Sequence, residues 1–192
     1  MIQPWQGDPR WDDLVDRLAV YDVRYLTGGS AWDARPSPYS VPGDVDIQAL
    51  ILDLAQAPAA RLRNALVALF FRRPACAPLA LSAGAALGEE DRARLELLTR
   101  YLAAAALRRK WRFVLSIYLP GQPTIDAAPV AARLGVPSPE EGYGRPCLHA
   151  AAELLRRGQP FPYNYESSWT AAADHILEDV RVQARQEERY GA

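Results

Sequence analysis

Apolar residues recur at offsets of three and four over much of this chain, the spacing that lines one face of a helix. Trp11, Leu14, Val15 and Leu18 form the first stripe. Asp8 stands at its N-cap position and Pro9 in its first turn, where a missing N–H costs nothing, and the helix ends near Tyr21. Leu62, Leu66, Leu69 and Phe70 mark a helix over 59–73, stopped by Pro74. Leu95, Leu98, Tyr101, Leu102 and Ala105 mark another, opened by Glu89, Glu90 and Asp91, whose charges suit the positive end of the helix dipole. Leu148, Ala151, Ala152 and Leu155 predict a helix over 147–157. Trp169, Ala172, Ala173, Ile176 and Val180 predict a last one, capped by Ser167 or Ser168, with an end over 183–189 that is polar but for Ala184.

Between these helices the pattern is shorter and admits two periods. Residues 23–27, Val-Arg-Tyr-Leu-Thr, are β-branched and aromatic, too short for a helix and stopped by Gly28-Gly29, so they read as a strand entering a tight turn. In 44–54, period two puts Val45, Ile47, Ala49 and Ile51 on one strand face and Asp44 with Asp46 on the other. Period 3.6 instead aligns Ile47, Leu50, Ile51 and Leu54 and makes Asp46 an N-cap. Residues 111–119 divide in the same way. Trp111, Leu115 and Tyr118 keep helical spacing, while Phe113, Leu115, Ile117 and Leu119 alternate as in a strand. Residues 78–88 read as a turn or short helix, 126–134 as a short helix or extended piece, and 31–43, 137–146 and 159–165 as loops.

Composition narrows the class of protein. With 192 residues, 49% apolar and 23% charged, the chain holds one full core, and a packed fold is expected. Its net charge of -1, with Lys110 the only lysine, argues against a broad nucleic-acid surface, which needs many cations. Arginine pairs at 72 and 73, 108 and 109, and 156 and 157 fall at helix C-terminal ends, where they complement the dipole. Cys76 and Cys147 stand apart, Cys147 with His149 makes too few ligands for zinc, and His175 has no ligand-spaced partner set. No secretory pattern opens the chain, and arginines break every apolar run short of the ~18–20 residues a membrane helix needs. A cytoplasmic location without membrane partners is the expectation.

The one stretch with a chemical signature is 25–47. An apolar run ends in Gly28-Gly29-Ser30, and after thirteen further residues Asp44-Val45-Asp46-Ile47 follows. A glycine turn after a strand lets backbone amides approach phosphate oxygens, with the Ser30 hydroxyl as a further donor. Two carboxylates on alternate strand residues share a face and suit Mg²⁺, which bridges carboxylates and substrate phosphates. Leu26-Thr27-Gly28-Gly29-Ser30 followed by Asp44-Val45-Asp46-Ile47 resembles the nucleotidyltransferase superfamily typified by DNA polymerase beta, in its minimal nucleotidyltransferase and AbiEii-like branch. The resemblance covers roughly residues 10–72 and includes Arg35-Pro36 in the spacer.

The resemblance implies an α+β, helix-dominated fold. A small N-terminal mixed sheet over 1–75 would be followed by a helical part over 76–192 packed with it; an essentially all-α chain is the alternative. It implies Asp44 and Asp46 as catalytic, metal-holding carboxylates, Gly28, Gly29 and Ser30 as the nucleotide-binding turn, and an NTP as donor. The transferred group would be a nucleotide monophosphate, the acceptor a protein, an RNA end or a small molecule, and the setting a toxin–antitoxin or defence pair. Such enzymes carry a third carboxylate on a later strand; here only Asp126 stands in a suitable apolar setting, so a degenerate, inactive form follows if nothing completes the site. The rival expectation is a non-enzymatic helical subunit that binds a protein partner through its long apolar helices. The two diverge at 45–53: a strand favours the transferase and a helix removes its geometry.

Overall fold

The computed structural model describes residues 9–24, 26, 46–88, 91–157, 159 and 163–190. Among these residues the chain is helical and contains no strand. The α+β expectation is therefore corrected: no nucleotidyltransferase-type mixed sheet is present in the described part, and the all-α alternative describes it.

Helix α5 (Arg92–Lys110) runs through the centre, packed against α2 (Ile47–Gln56), α3 (Ala60–Arg72), α4 (Ala77–Ala86), α8 (Arg145–Arg156) and α9 (Tyr165–Tyr190). Helix α1 (Pro9–Ala19) lies on α2, α6 (Arg112–Tyr118) follows the end of α5 and touches α9, and α7 (Ala128–Leu134) touches α5. Every residue of α5 from Glu96 to Leu107 is buried. A helix covered on all sides needs apolar residues all round rather than one stripe, and Leu97, Leu98, Leu102 and Ala103 to Leu107 supply them. One apolar cluster extends from Leu14 to Val180. Among the described residues no single helix is long and apolar enough to cross a membrane.

The strand expected at 23–27 is a helix ending instead. Asp22 adopts left-handed φ (58°), its N–H reaches Ala19 O at 3.0 Å, and Val23 N–H reaches Leu18 O at 3.2 Å. This is a Schellman closure, which calls for an apolar residue just beyond the turn to pack on the helix; Val23 and Leu18 are both buried. Val23 is thus β-branched because it closes a helix, and the rest of the expected strand and turn, Tyr25, Thr27, Gly28 and Gly29, lies outside the described residues.

Several boundaries also move. Helix α9 starts before Ser167, because Asn164 is the cap: its Oδ1 accepts from Ser167 N at 3.1 Å and its carbonyl from the Ser168 hydroxyl. Residues 78–88 contribute most of α4, and 111–119 are helical after a break at Trp111. Asp91 alone of the three expected acids is described, and it caps α5 by accepting from Ala93 N at 2.8 Å. Asp22 ties the end of α1 to α3 through ion pairs to Arg73 and, at 3.6 Å, Arg72. These arginines hold a neighbouring helix as well as ending their own.

Candidate binding site at the break between two helices

Residues 45–53 were the discriminating stretch, and Asp46 decides it. Asp46 is the N-cap of α2, its Oδ1 accepting from Gln48 N at 2.9 Å and Ala49 N at 3.1 Å. That carboxylate oxygen is committed to two backbone donors that otherwise lack a helical partner. Leu50, Ile51 and Leu54 are buried along one side, which is the period-3.6 stripe. Gly28, Gly29, Ser30 and Asp44 lie outside the described residues. Asp126 is exposed in the loop before α7, and its carbonyl accepts the Tyr101 hydroxyl at 2.7 Å. Asp46 and Asp126 belong to separate elements, and no group of three or more metal-ligating side chains occurs among the described residues. His149 Nδ1 lies 2.8 Å from Glu166 and links α8 to α9.

The polar chemistry that the fold does bring together lies along α5, in two places. The first is the interior crossing of α3, α5 and α9. Arg100 is fully buried; its Nη1 bonds the Glu96 carboxylate and the Glu96 carbonyl (3.0 Å), and its Nε donates to Asn64 Oδ1 at 3.2 Å. The Trp169 indole N–H donates to the same Asn64 oxygen at 3.2 Å, and Asn64 donates onward to the Tyr163 hydroxyl at 3.1 Å. Glu96 also pairs with Arg63 at 3.4 Å and Arg92 at 3.3 Å. Burial pulls the Arg100 guanidinium below its ordinary range and Glu96 works against that shift.

The second place is where α5 ends and α6 begins. A cavity of about 230 Å³ is lined by Arg108, Arg109, Arg112, Ser116, Gln122 and Glu140, among others. Arg108 reaches beneath α3, where its Nη1 donates to Phe71 O and, at 3.0 Å, to Gln122 Oε1; Gln122 donates in turn to Arg72 O at 3.2 Å. These two side chains satisfy carbonyls that the end of α3 leaves open. Both acceptors of Arg108 are neutral, and burial lowers its pKa to about 10. Arg109 Nε lies 3.1 Å from Glu140 Oε2 without the alignment of a hydrogen bond. Arg112 lies over the Phe113 ring at 4.7 Å and the Tyr143 ring at 5.7 Å.

Around that cavity stand three of the most exposed large apolar side chains described: Phe113 (69%), Ile117 (71%) and Tyr143 (61%). Phe113 and Ile117 are one turn apart on α6, opposite the buried Leu115. Tyr143 sits in a left-handed run, Gly142 (φ 49°), Tyr143 (φ 56°), Gly144 (φ 78°). Gly144 fixes that run on the central helix: a Cβ there would lie 2.4 Å from Ala106 O, a contact no other residue type can make. A non-glycine residue held at positive φ costs of order 1–3 kcal/mol unless its surroundings impose it. Here they impose it on an aromatic ring that points to solvent.

The arginines at 108 and 109 were visible in the sequence only as a helix-end pair; their convergence with Gln122 and Glu140 depends on loops that periodicity does not place. Phe113 and Ile117 were visible as leftovers. Once Trp111, Leu115 and Tyr118 are given the inward face, these two form a second apolar stripe, exposed among the described residues. No protein-family model matches the chain, and neither curated proteins nor solved structures give a match.

Proposed function

We propose that this chain is a non-enzymatic helical subunit that docks an acidic, amphipathic segment of a partner protein on the shoulder formed by α6 and the 140–144 turn. The observation that carries this reading is the trio Phe113, Ile117 and Tyr143, exposed together beside Arg112. Covering such side chains contributes about 1.5–3 kcal/mol each, and paired aromatic and arginine anchors are what protein interfaces concentrate. Charge selects the occupant. Arg108, Arg109, Lys110, Arg112 and Arg145 supply five cations in the neighbouring segments, against Glu140 and Glu141. An acidic partner is steered to such a surface and a basic one is repelled.

A membrane surface is less well matched. Interfacial helices bury a long apolar face under cationic flanks, whereas α6 has seven residues and the adjoining turn carries two carboxylates that anionic lipid would repel. The transferase reading draws no support from Asp46, whose side chain caps a helix.

The test is a photo-crosslinking amino acid placed at position 113 and, as a control, at position 157, exposed after α8 at the opposite end of α5. The reading predicts a crosslink from 113 alone to a protein segment rich in Asp or Glu and apolar residues, identified by mass spectrometry. Crosslinks to lipid, to a second copy of this chain or to a basic segment would each overturn it.

A further inference from the structure

We infer that the cavity between Arg108, Arg109 and Arg112 is an oxyanion pocket that takes a phosphate monoester group. This inference concerns the cavity, whereas the docking proposal rests on the apolar shoulder; the two share Arg109 and Arg112, and phosphate binding without a crosslink from position 113, or the reverse, separates them. Three observations meet there. Arg108 is largely withdrawn from water with no carboxylate beside it; only Nη1 is engaged, and only by neutral oxygens. The negative end of the α3 dipole, where Phe71 O lies, offsets about half a charge; the guanidinium also lies 6.0 Å from the Phe71 ring, its Nε and Nη2 make no described hydrogen bond, and Arg108 lines the cavity. Arg109 Nε is buried without a hydrogen bond. Arg112 has ring contacts and no carboxylate partner among the described residues.

Buried cations are normally paired, because withdrawal from water without an opposite charge is costly. Against three guanidinium groups the cavity sets one carboxylate, Glu140, which leaves an excess of two positive charges. A phosphate monoester carries close to two negative charges at neutral pH. Its tetrahedral oxygens can meet donors arriving from three side chains, whereas a carboxylate offers oxygens in one plane. The Ser116 hydroxyl and Thr124 also line the cavity. Its volume of about 230 Å³ admits the phosphoryl head and leaves the rest of a monoester outside.

The experiment measures binding of inorganic phosphate, AMP and acetate to the full chain by ³¹P line broadening and calorimetry. Phosphate and AMP are expected to bind with similar affinity and acetate at least tenfold more weakly. Arg112→Gln, whose side chain makes no hydrogen bond that the fold relies on, is expected to weaken phosphate about tenfold. Arg109→Gln is expected to act alike, and Arg157→Gln, exposed after α8 where that helix meets Arg92 at the opposite end of α5, to change nothing. Arg108→Gln should abolish binding; if it does not fold, the Arg109 and Arg112 variants decide the matter. Absence of phosphate binding by the native chain, equal binding of acetate, or undiminished binding by the Arg109 and Arg112 variants would each overturn the inference. If AMP bound far more tightly than phosphate, the pocket would be reading more than the phosphoryl group, and the inference would fall in the form given.

Discussion

Arg100 and Arg108 sit two turns apart on the same helix, both drawn out of water, and differ in what was brought to meet them. Arg100 has the carboxylate of Glu96 one turn back and an amide oxygen from α3 that also binds Trp169 of α9. Arg108 has a carbonyl, a glutamine oxygen and an open cavity. The first gives the guanidinium a buried carboxylate, shared with Arg63 and Arg92, and ties three helices together, although Arg100 Nη2 makes no hydrogen bond. The second gives its guanidinium no adjoining carboxylate among the described residues and lies near Phe113, Ile117 and Tyr143, among the most exposed apolar side chains described. A buried arginine therefore does not by itself mark a functional site; under the proposed reading, a carboxylate in direct contact, present for Arg100 and missing for Arg108, is what separates the two.

The largest way to break that contrast is to remove the closed cluster. Arg100→Ala opens a void beside Asn64 and takes from Glu96 its fully buried partner, Arg63 and Arg92 remaining, and is expected to lower unfolding free energy by about 3 kcal/mol. Arg108→Ala is expected to lose about 1 kcal/mol, since it gives up bonds to neutral acceptors while also removing an uncompensated cation. Denaturant melts of both variants check the ordering, and equal losses would erase the distinction.

Gly144 connects the two regions, because it seats the Tyr143 turn on α5 at Ala106. Gly144→Ala is expected to cost about 2 kcal/mol or more through positive φ and backbone contact. Tyr143→Gly should do the opposite, raising stability by about 1 kcal/mol by relieving left-handed strain, while weakening the crosslink from position 113. A stabilising change that impairs docking is what a strained, presented side chain predicts; loss of stability in Tyr143→Gly would show the ring to be structural.

The smallest expected effect concerns Asp46. As an N-cap, Asp46→Ala should cost about 1 kcal/mol, Asp46→Asn almost nothing, and neither should alter the melting response to Mg²⁺ with NTP. If Asp46→Asn abolished an Mg²⁺-dependent nucleotide shift, the carboxylate would be a ligand and the cap incidental.

These residues also explain what the chain makes legible. Stripes such as Leu62, Leu66, Leu69 and Phe70 specify α3 because a helix with one wet side writes its period into the sequence. Residues 44–54 supported two periods, since Ile47 and Ile51 belong to both a strand face and a helical stripe; only the donors reached by Asp46 separate them. Val23 looked like strand because the apolar residue after a Schellman turn has the same chemistry as a strand residue. At the candidate site, the arginines and the leftover Phe113 and Ile117 were readable, but their meeting with Gln122, Glu140 and Tyr143 was not. Those three come from turns, whose path depends on Gly144 touching a helix far away in sequence.

The central claim, that the α6 shoulder and its cations form the docking face, is tested most directly by charge reversal. With the photo-crosslinker at position 113, Arg109→Glu with Arg112→Glu should abolish the crosslink, and exchanging acidic for basic residues in the captured segment should restore it. A crosslink that survives the reversal, or that the compensating exchange fails to recover while both chains remain folded, would contradict the account.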